Sequence, residues 1–232
     1  MFEFKPIASG SSGNSHLIKT DGASGLIDIG IPWKRIQEAM GFTASSLDFV
    51  LVTHRHLDHS GYIKEAIKAG VDVYAIKDVW NSNGISSHRA HIITSMKQFQ
   101  IKNLTILPFS VPHDVENVGF LIADDRGNKM LYLTDCFYSP FRFKNLTLIA
   151  VECNYSLDIL KRNVEAGAVP KELKSRILKS HFSLENVKKF LLANDLSKVE
   201  AIFLLHLSDN NSNAERFKRE IQELTGKMVF VA

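Results

Sequence analysis

The stretch that most constrains this chain is Val50-Leu51-Val52-Thr53-His54-Arg55-His56-Leu57-Asp58-His59-Ser60-Gly61. Its apolar, β-branched beginning reads as a buried strand. The strand stops at three histidines and an aspartate packed into the six positions from His54 to His59. A core has no use for so many imidazoles on a loop, whereas a divalent metal does. Neutral imidazole nitrogen and carboxylate oxygen are the donors that suit zinc and related ions.

The chain around this stretch is of ordinary composition. Its 232 residues are 45% hydrophobic and 23% charged, the balance of a soluble globular protein, and one domain over residues 1–232 is expected. A net charge of +3 gives only a mild bias towards anionic substrates, and no basic stripe demands a nucleic-acid partner. The two cysteines, Cys136 and Cys153, read as small buried hydrophobes in a reducing compartment. Met1–Pro6 lacks the basic and apolar regions of a signal peptide, and no apolar run approaches the roughly 20 residues of a membrane span. A cytoplasmic protein with no membrane partner is expected.

The Gly- and Ser-rich run Ser9–Asn14 reads as a tight turn, with an anion-binding nest of backbone N–H groups as the alternative. It is no nucleotide-binding phosphate loop, because no Gly-Lys-Ser/Thr follows. Asp21-Gly22 turns the chain into Gly25–Gly30. There Asp28 lies between Ile27 and Ile29, a solvent-facing position on an alternating strand. Pro32 opens a helix that Gly41 stops. A further helix starts at Ser60 or Gly61 and ends at Gly70, and a strand covers Val71–Ile76. Strand, helix and strand in succession argue for α/β layering. Asp78–Ser95, with His88 and His91, reads as an irregular surface loop. Strands follow at Phe99–Leu107, Phe109–Pro112, Asn117–Ala123, Met130–Thr134 and Leu146–Glu152. Tyr155–Ala166 is weakly helical, and Ser183 caps a helix to Ala193. Glu200–Leu205, Asn213–Leu224 and Met228–Val231 close the chain as strand, helix and strand.

Three more strand ends carry candidate ligands: His113 after Val111-Pro112, Asp135 after Leu133-Thr134, and His206 after Leu204-Leu205. A lone histidine in such a place is usually a core residue. Four such points in one order are far less expected by chance. The order His-x-His-x-Asp-His, then His, Asp and His, resembles the metallo-β-lactamase-fold hydrolases over nearly the whole chain. That resemblance implies an α/β (α+β) four-layer αββα sandwich holding two divalent ions, zinc by preference and manganese as the alternative. By position, His54, His56 and His113 are implied to hold one ion, Asp58, His59 and His206 the other, and Asp135 to bridge them. It also implies that Asp28 braces the histidine loop.

A dinuclear site of this kind lowers the pKa of a shared water and stabilises both oxygens of an in-line displacement. Asp58 is the candidate for orienting that water. A phosphodiester suits such a site, and the aspartate at 135, where β-lactamases carry cysteine, favours it over a β-lactam. His181, ahead of the helix capped by Ser183, reads either as a polar residue at a helix start or as a general acid or phosphate ligand. The Ser9–Asn14 turn and the His181-Phe182-Ser183 pattern are similar to those of an exonuclease-like branch. Val151–Tyr155 and His206–Asn211 also resemble phage anti-Pycsar phosphodiesterases. The latter resemblance implies a homodimer that hydrolyses cyclic CMP or cyclic UMP to counteract host defence, acting in the host cytoplasm if phage-encoded. DNA 5′-exonuclease activity, with nucleic acid as the partner, is the alternative.

Overall fold

The computed structural model describes residues 2–232. They form two compact units. One comprises the chain up to Ser110 together with Val115–Asn128, and the other Val111–Asp114 together with Lys129–Ala232.

In the first unit the elements are β1 (Glu3–Ala8), β2 (Ser15–Lys19), β3 (Ser24–Ile27), α1 (Trp33–Ala39), β4 (Phe49–Val52), α2 (Leu57–Ser60), α3 (Ile63–Lys68), β5 (Asp72–Ala75), α4 (Lys77–Asn83), β6 (Ala90–Ile92), β7 (Phe99–Ile101), β8 (Leu104–Val111, its last residue in the other unit) and β9 (Asn117–Asp124). Strands β1 to β6 lie side by side in sequence order. The β1–β2 and β2–β3 pairings are antiparallel, and those from β3 to β6 are parallel. All four residues of β4 are buried. A strand covered on both faces reads as a continuous apolar run, which is why Phe49–Val52 shows no alternation. Its C-terminal end delivers Thr53 and His54 to one place.

Three stretches here differ from the expectation. In Phe99–Pro112 the break falls at Lys102-Asn103, where β7 turns back into an antiparallel β8, and β8 runs unbroken through Pro108. Asp78–Ser95 is not a plain loop, because it contains α4 and β6. Helix α4 has no side-chain cap and only seven residues, so it offers little local signal. It is held by Trp80, whose indole N–H lies 3.1 Å from the Ala75 carbonyl and 3.2 Å from that of His91. The helix expected from Ser60 instead begins inside the histidine motif, as the short turn α2, and resumes at Ile63.

The second unit contains β10 (Lys129–Leu133), β11 (Leu148–Glu152), α5 (Leu157–Glu165), α6 (Lys171–Ser180), α7 (Leu184–Leu192), β12 (Ala201–Leu205), α8 (Ala214–Thr225) and β13 (Met228–Val231). Strands β10, β11, β12 and β13 are neighbours in that order and all parallel. Parallel strands are connected by crossovers, here helical in part, and bury both faces. Accordingly all five residues of β11 are buried. The expected cap of α7 is present, and α8 is capped at both ends. The Ser183 side chain accepts the Asn186 N–H at 3.2 Å, Asn213 accepts the Arg216 N–H at 2.9 Å, and Gly226 ends α8 at φ 66°. Cys136 and Cys153 are free and buried, and burial pushes both thiols well above their usual range. They are inert packing residues, as their sequence context suggested.

Candidate metal centre

Within the first unit, Asp28 organises the histidine loop. It follows β3 with φ 62°, the left-handed region that aspartate tolerates better than most residues, and it is fully buried. One carboxylate oxygen accepts the Thr53 N–H and the Thr53 hydroxyl, each at 2.9 Å. The other lies 2.8 Å from His59 Nδ1. These contacts set the tautomers. A carboxylate only accepts, so His59 Nδ1 carries the proton and its lone pair sits on Nε2. Thr53 spends its hydroxyl proton on Asp28, so it accepts from His54 Nδ1 at 2.9 Å, and the lone pair of His54 also falls on Nε2. Asp28 is therefore a brace and not a solvent-facing strand residue.

The two prepared nitrogens do not stand alone. His54 Nε2 and His56 Nδ1 are 3.1 Å apart, close to the ~3.3 Å between two nitrogens that share a tetrahedral ion at about 2.0–2.1 Å. His59 Nε2 lies 3.5 Å from Asp58 Oδ2, and the Asp58 side chain is 30% exposed. The donor set fits a divalent metal. The Ser9–Asn14 run is a tight turn locked by Asn14, whose amide exchanges hydrogen bonds with Gly10 N and O and approaches His59 Nε2 at 2.9 Å. The Asn14 N–H also donates to the Asp58 carbonyl at 2.7 Å.

Gly30 lets this loop sit where it does. A Cβ there would stand 1.6 Å from the Asp58 carbonyl oxygen, and backbone cannot rotate aside as a side chain can. Gly30→Ala is therefore expected to displace the Asp58–His59 backbone and cost about 1–3 kcal/mol or more. A lowered melting temperature together with weaker metal retention checks this.

Within the second unit four groups converge. Asp135 follows β10 with φ 48°, Glu152 ends β11, His206 follows β12 with φ 53°, and His181 is the C-cap of α6. One ligand atom from each lies within 4.8 Å of the others. Glu152 is fully buried and ties the group together. It lies 2.6 Å from His181 Nδ1 and 3.4 Å from His206 Nδ1, and it accepts the N–H groups of Cys136 and Phe182 at 3.2 Å. His181 Nδ1 also meets Asp135 at 3.1 Å. Burial opposes charge on His181, but the Glu152 and Asp135 carboxylates outweigh it and lift its pKa to about 10. His181 is thus a cation at neutral pH, with Nδ1 engaged and Nε2 on the far edge of the ring. The Asn154 amide donates to the His206 carbonyl at 2.7 Å, which fixes that turn. His113 stands beside Asp114 at 3.1 Å, its ring 6.3 Å from that of His181.

The structure thus groups His54, His56, Asp58 and His59 in one unit, and Asp135, His181 and His206 in the other. Glu152 and Asn14 had no assigned role at the sequence level. Glu152 carried the same mark as Asp135, a carboxylate at the end of an apolar strand, and could have been found by it. His88 and His91 join neither group. His91 stacks on Tyr74 at 4.5 Å across β5 and β6.

Comparison with known proteins gives one answer at the level of family. Residues 32–157 match the model of the beta-lactamase superfamily domain. The exodeoxyribonuclease WalJ of Streptococcus pneumoniae serotype 2 (strain D39 / NCTC 7466) is 30% identical over 233 residues, covering 92% of this chain and 84% of WalJ. The exodeoxyribonuclease YycJ of Bacillus anthracis is 25% identical, covering 95% and 88%. Among solved structures, the metallo-beta-lactamase fold protein YhfI from Bacillus subtilis superposes with a TM-score of 0.75 at 16% identity, covering 100% of this chain and 96% of YhfI. No helix among the described residues is long and apolar enough to cross a membrane. With histidine and carboxylate clusters at its strand ends and a family match across more than half its length, the chain belongs to the β-lactamase superfamily and has the metallo-β-lactamase fold.

Proposed function

We propose that the chain is a metal-dependent phosphodiesterase with two divalent ions, zinc by preference or manganese. In this reading His54, His56 and His113 hold one ion, Asp58, His59 and His206 the second, and Asp135 is shared. The observation that carries it is the Asp28 brace, which puts the ring protons of two buried histidines on Nδ1 and their lone pairs on Nε2. Outer carboxylates commonly prepare metal-binding histidines in this way. When bound, the ions supply an activated water and neutralise charge on the phosphoryl group. Asp58, the more exposed carboxylate, orients the attacking water. His181, held protonated by Glu152 and Asp135, donates from Nε2 to the departing alkoxide.

For the substrate, the near full-length similarity to proteins named exodeoxyribonucleases supports linear DNA attacked at an end. A second reading is a homodimeric hydrolase of cyclic CMP or cyclic UMP that counteracts host defence. Its support is the pair of stretches that resemble anti-Pycsar enzymes. The two stretches are joined by the Ser208 N–H on the Asn154 carbonyl at 2.8 Å, and the Asn154 N–H donates to the carbonyl of Phe182, next to His181, at 2.9 Å.

Chromatography of products from linear single- and double-stranded DNA, cyclic mononucleotides and cyclic dinucleotides, with zinc- or manganese-loaded protein, separates the two. Mononucleotides released from DNA ends are the expected result. Linearised cyclic CMP with intact DNA would transfer the proposal to the second reading. No product from any substrate would end both.

A further inference from the structure

Between β10 and β11 the chain runs from Thr134 to Thr147 without helix or strand, yet it is tied down along its length. The Cys136 N–H donates to Glu152 at 3.2 Å, and the Tyr138 N–H reaches the Cys136 sulfur. The Asn186 amide of α7 donates to the Phe137 carbonyl at 3.3 Å. Further on, the Phe143 N–H donates to the Asn194 side chain at 2.6 Å, and the Phe143 ring packs edge-on against Phe190 at 6.4 Å. Cys136, Ser139, Phe143 and Leu146 are buried accordingly. Tyr138 is not. It is 50% exposed, and its ring stacks on no other ring among the described residues. The same ties place it beside the cluster of the second unit. It is three residues along from Asp135, so the two Cα atoms are at most about 11 Å apart. Asn186, which holds Phe137, lies in the first turn of α7, whose cap Ser183 is two residues past His181.

We infer that Tyr138 is the platform on which a nucleobase stacks while its phosphodiester is presented to the site. The inference rests on the phosphodiesterase reading and deepens it, because it names what is recognised besides the phosphate. A half-exposed ring on a tethered loop takes a flat partner at little cost in conformational entropy. Every base has a π-face, so the contact holds purines and pyrimidines alike. A base hangs only one sugar away from its phosphate, which suits a ring this close to Asp135. A DNA end and a cyclic mononucleotide both carry such a base, and the arms of the experiment separate them.

The test follows kcat and KM of the metal-loaded full chain on a single-stranded oligodeoxynucleotide and on cyclic CMP, each beside a base-less analogue. The oligonucleotide analogue carries tetrahydrofuran residues on both sides of the scissile bond, and the cyclic one is ribose 3′,5′-phosphate. Tyr138→Ala is expected to raise KM about 5- to 150-fold on whichever base-bearing substrate is cleaved, the range for one lost base–aromatic stack. Its kcat should be little changed, as for a contact made equally in ground and transition states. On the base-less analogue the variant should match the native protein, and Tyr138→Phe should keep the native KM throughout. Equal losses on base-bearing and base-less substrates, or a native KM in Tyr138→Ala, would overturn the inference. If the native protein cleaves neither substrate, Tyr138→Trp reports binding directly. Quenching of its added emission by oligonucleotide or cyclic CMP would then count against the phosphodiesterase reading alone, whereas unchanged emission would overturn the inference. A half-exposed position lies outside the core, so all three variants should melt as the native protein does.

Discussion

Asp28→Asn is expected to weaken metal binding by 10–100-fold, the usual cost of losing an outer ligand brace, although residue 28 is not among the proposed ligands. The change is nearly isosteric but turns one acceptor into a donor. The carboxylate receives three hydrogen bonds, from Thr53 N–H, Thr53 Oγ and His59 Nδ1, and an asparagine has only one oxygen with which to accept. If its amide NH₂ faces His59, Nδ1 must become the acceptor and the ring proton moves to Nε2, where the lone pair is needed. If it faces Thr53, the backbone N–H there meets another donor. Either outcome also removes charge-assisted hydrogen bonds worth about 1.5–3 kcal/mol each. Chelator competition with a zinc indicator measures the affinity, and the melting temperature of metal-free protein measures the structural cost separately. Native metal affinity in Asp28→Asn would show that the brace does not set the tautomers.

The second large effect falls on His181. His181→Gln is expected to lower kcat about 10²–10⁴-fold on a substrate with an alkoxide leaving group, the range for a lost general acid. Glutamine retains an N–H for Glu152, which keeps that buried carboxylate partnered and the fold intact. The discriminating comparison is bis(p-nitrophenyl) phosphate, whose phenolate leaves without help from an acid. The variant should hydrolyse it within a few-fold of the native rate. A loss of equal size on both substrates would make His181 a phosphate-binding residue and not the acid. Glu152→Gln belongs in the same series as a positioning change, because Glu152 acts through His181 and His206. Its signature is a shifted alkaline limb in the pH–rate profile.

The histidines and carboxylates that cluster at the strand ends were largely legible, and the reason is physical. Metal ligands are drawn from His, Cys, Asp and Glu, and an α/β fold presents them where buried strands end. Val50–Val52, Leu131–Leu133 and Ile202–Leu205 therefore announce the residues that follow them. The backbone marks the same places: Asp28, Asp135 and His206 all adopt positive φ, a conformation that propensity does not foresee for histidine. Glu152 was harder to see because its work lies in contacts from residues 136 to 206, none of them local. Helix α6 escaped because its sequence mixes three leucine or isoleucine residues with four cations and starts from Pro170 without a side-chain cap. Its burial is supplied by Leu160 of α5 together with Tyr155 and Val169 on either side of that helix. Likewise α4 and β6 depend on Trp80 bridging two carbonyls, which no periodicity encodes.

The central claim is that the histidine and carboxylate clusters at the strand ends hold metal for phosphodiester hydrolysis. A metal titration of bis(p-nitrophenyl) phosphate turnover tests it most directly, because that substrate makes no demand on base preference. Protein stripped with chelator should be inactive. Zinc or manganese should restore turnover, with a plateau near two ions per chain, and His56→Ala and Asp58→Ala should stay inactive at the plateau. Turnover that survives chelation, or fully loaded protein that leaves the diester intact, would contradict the claim.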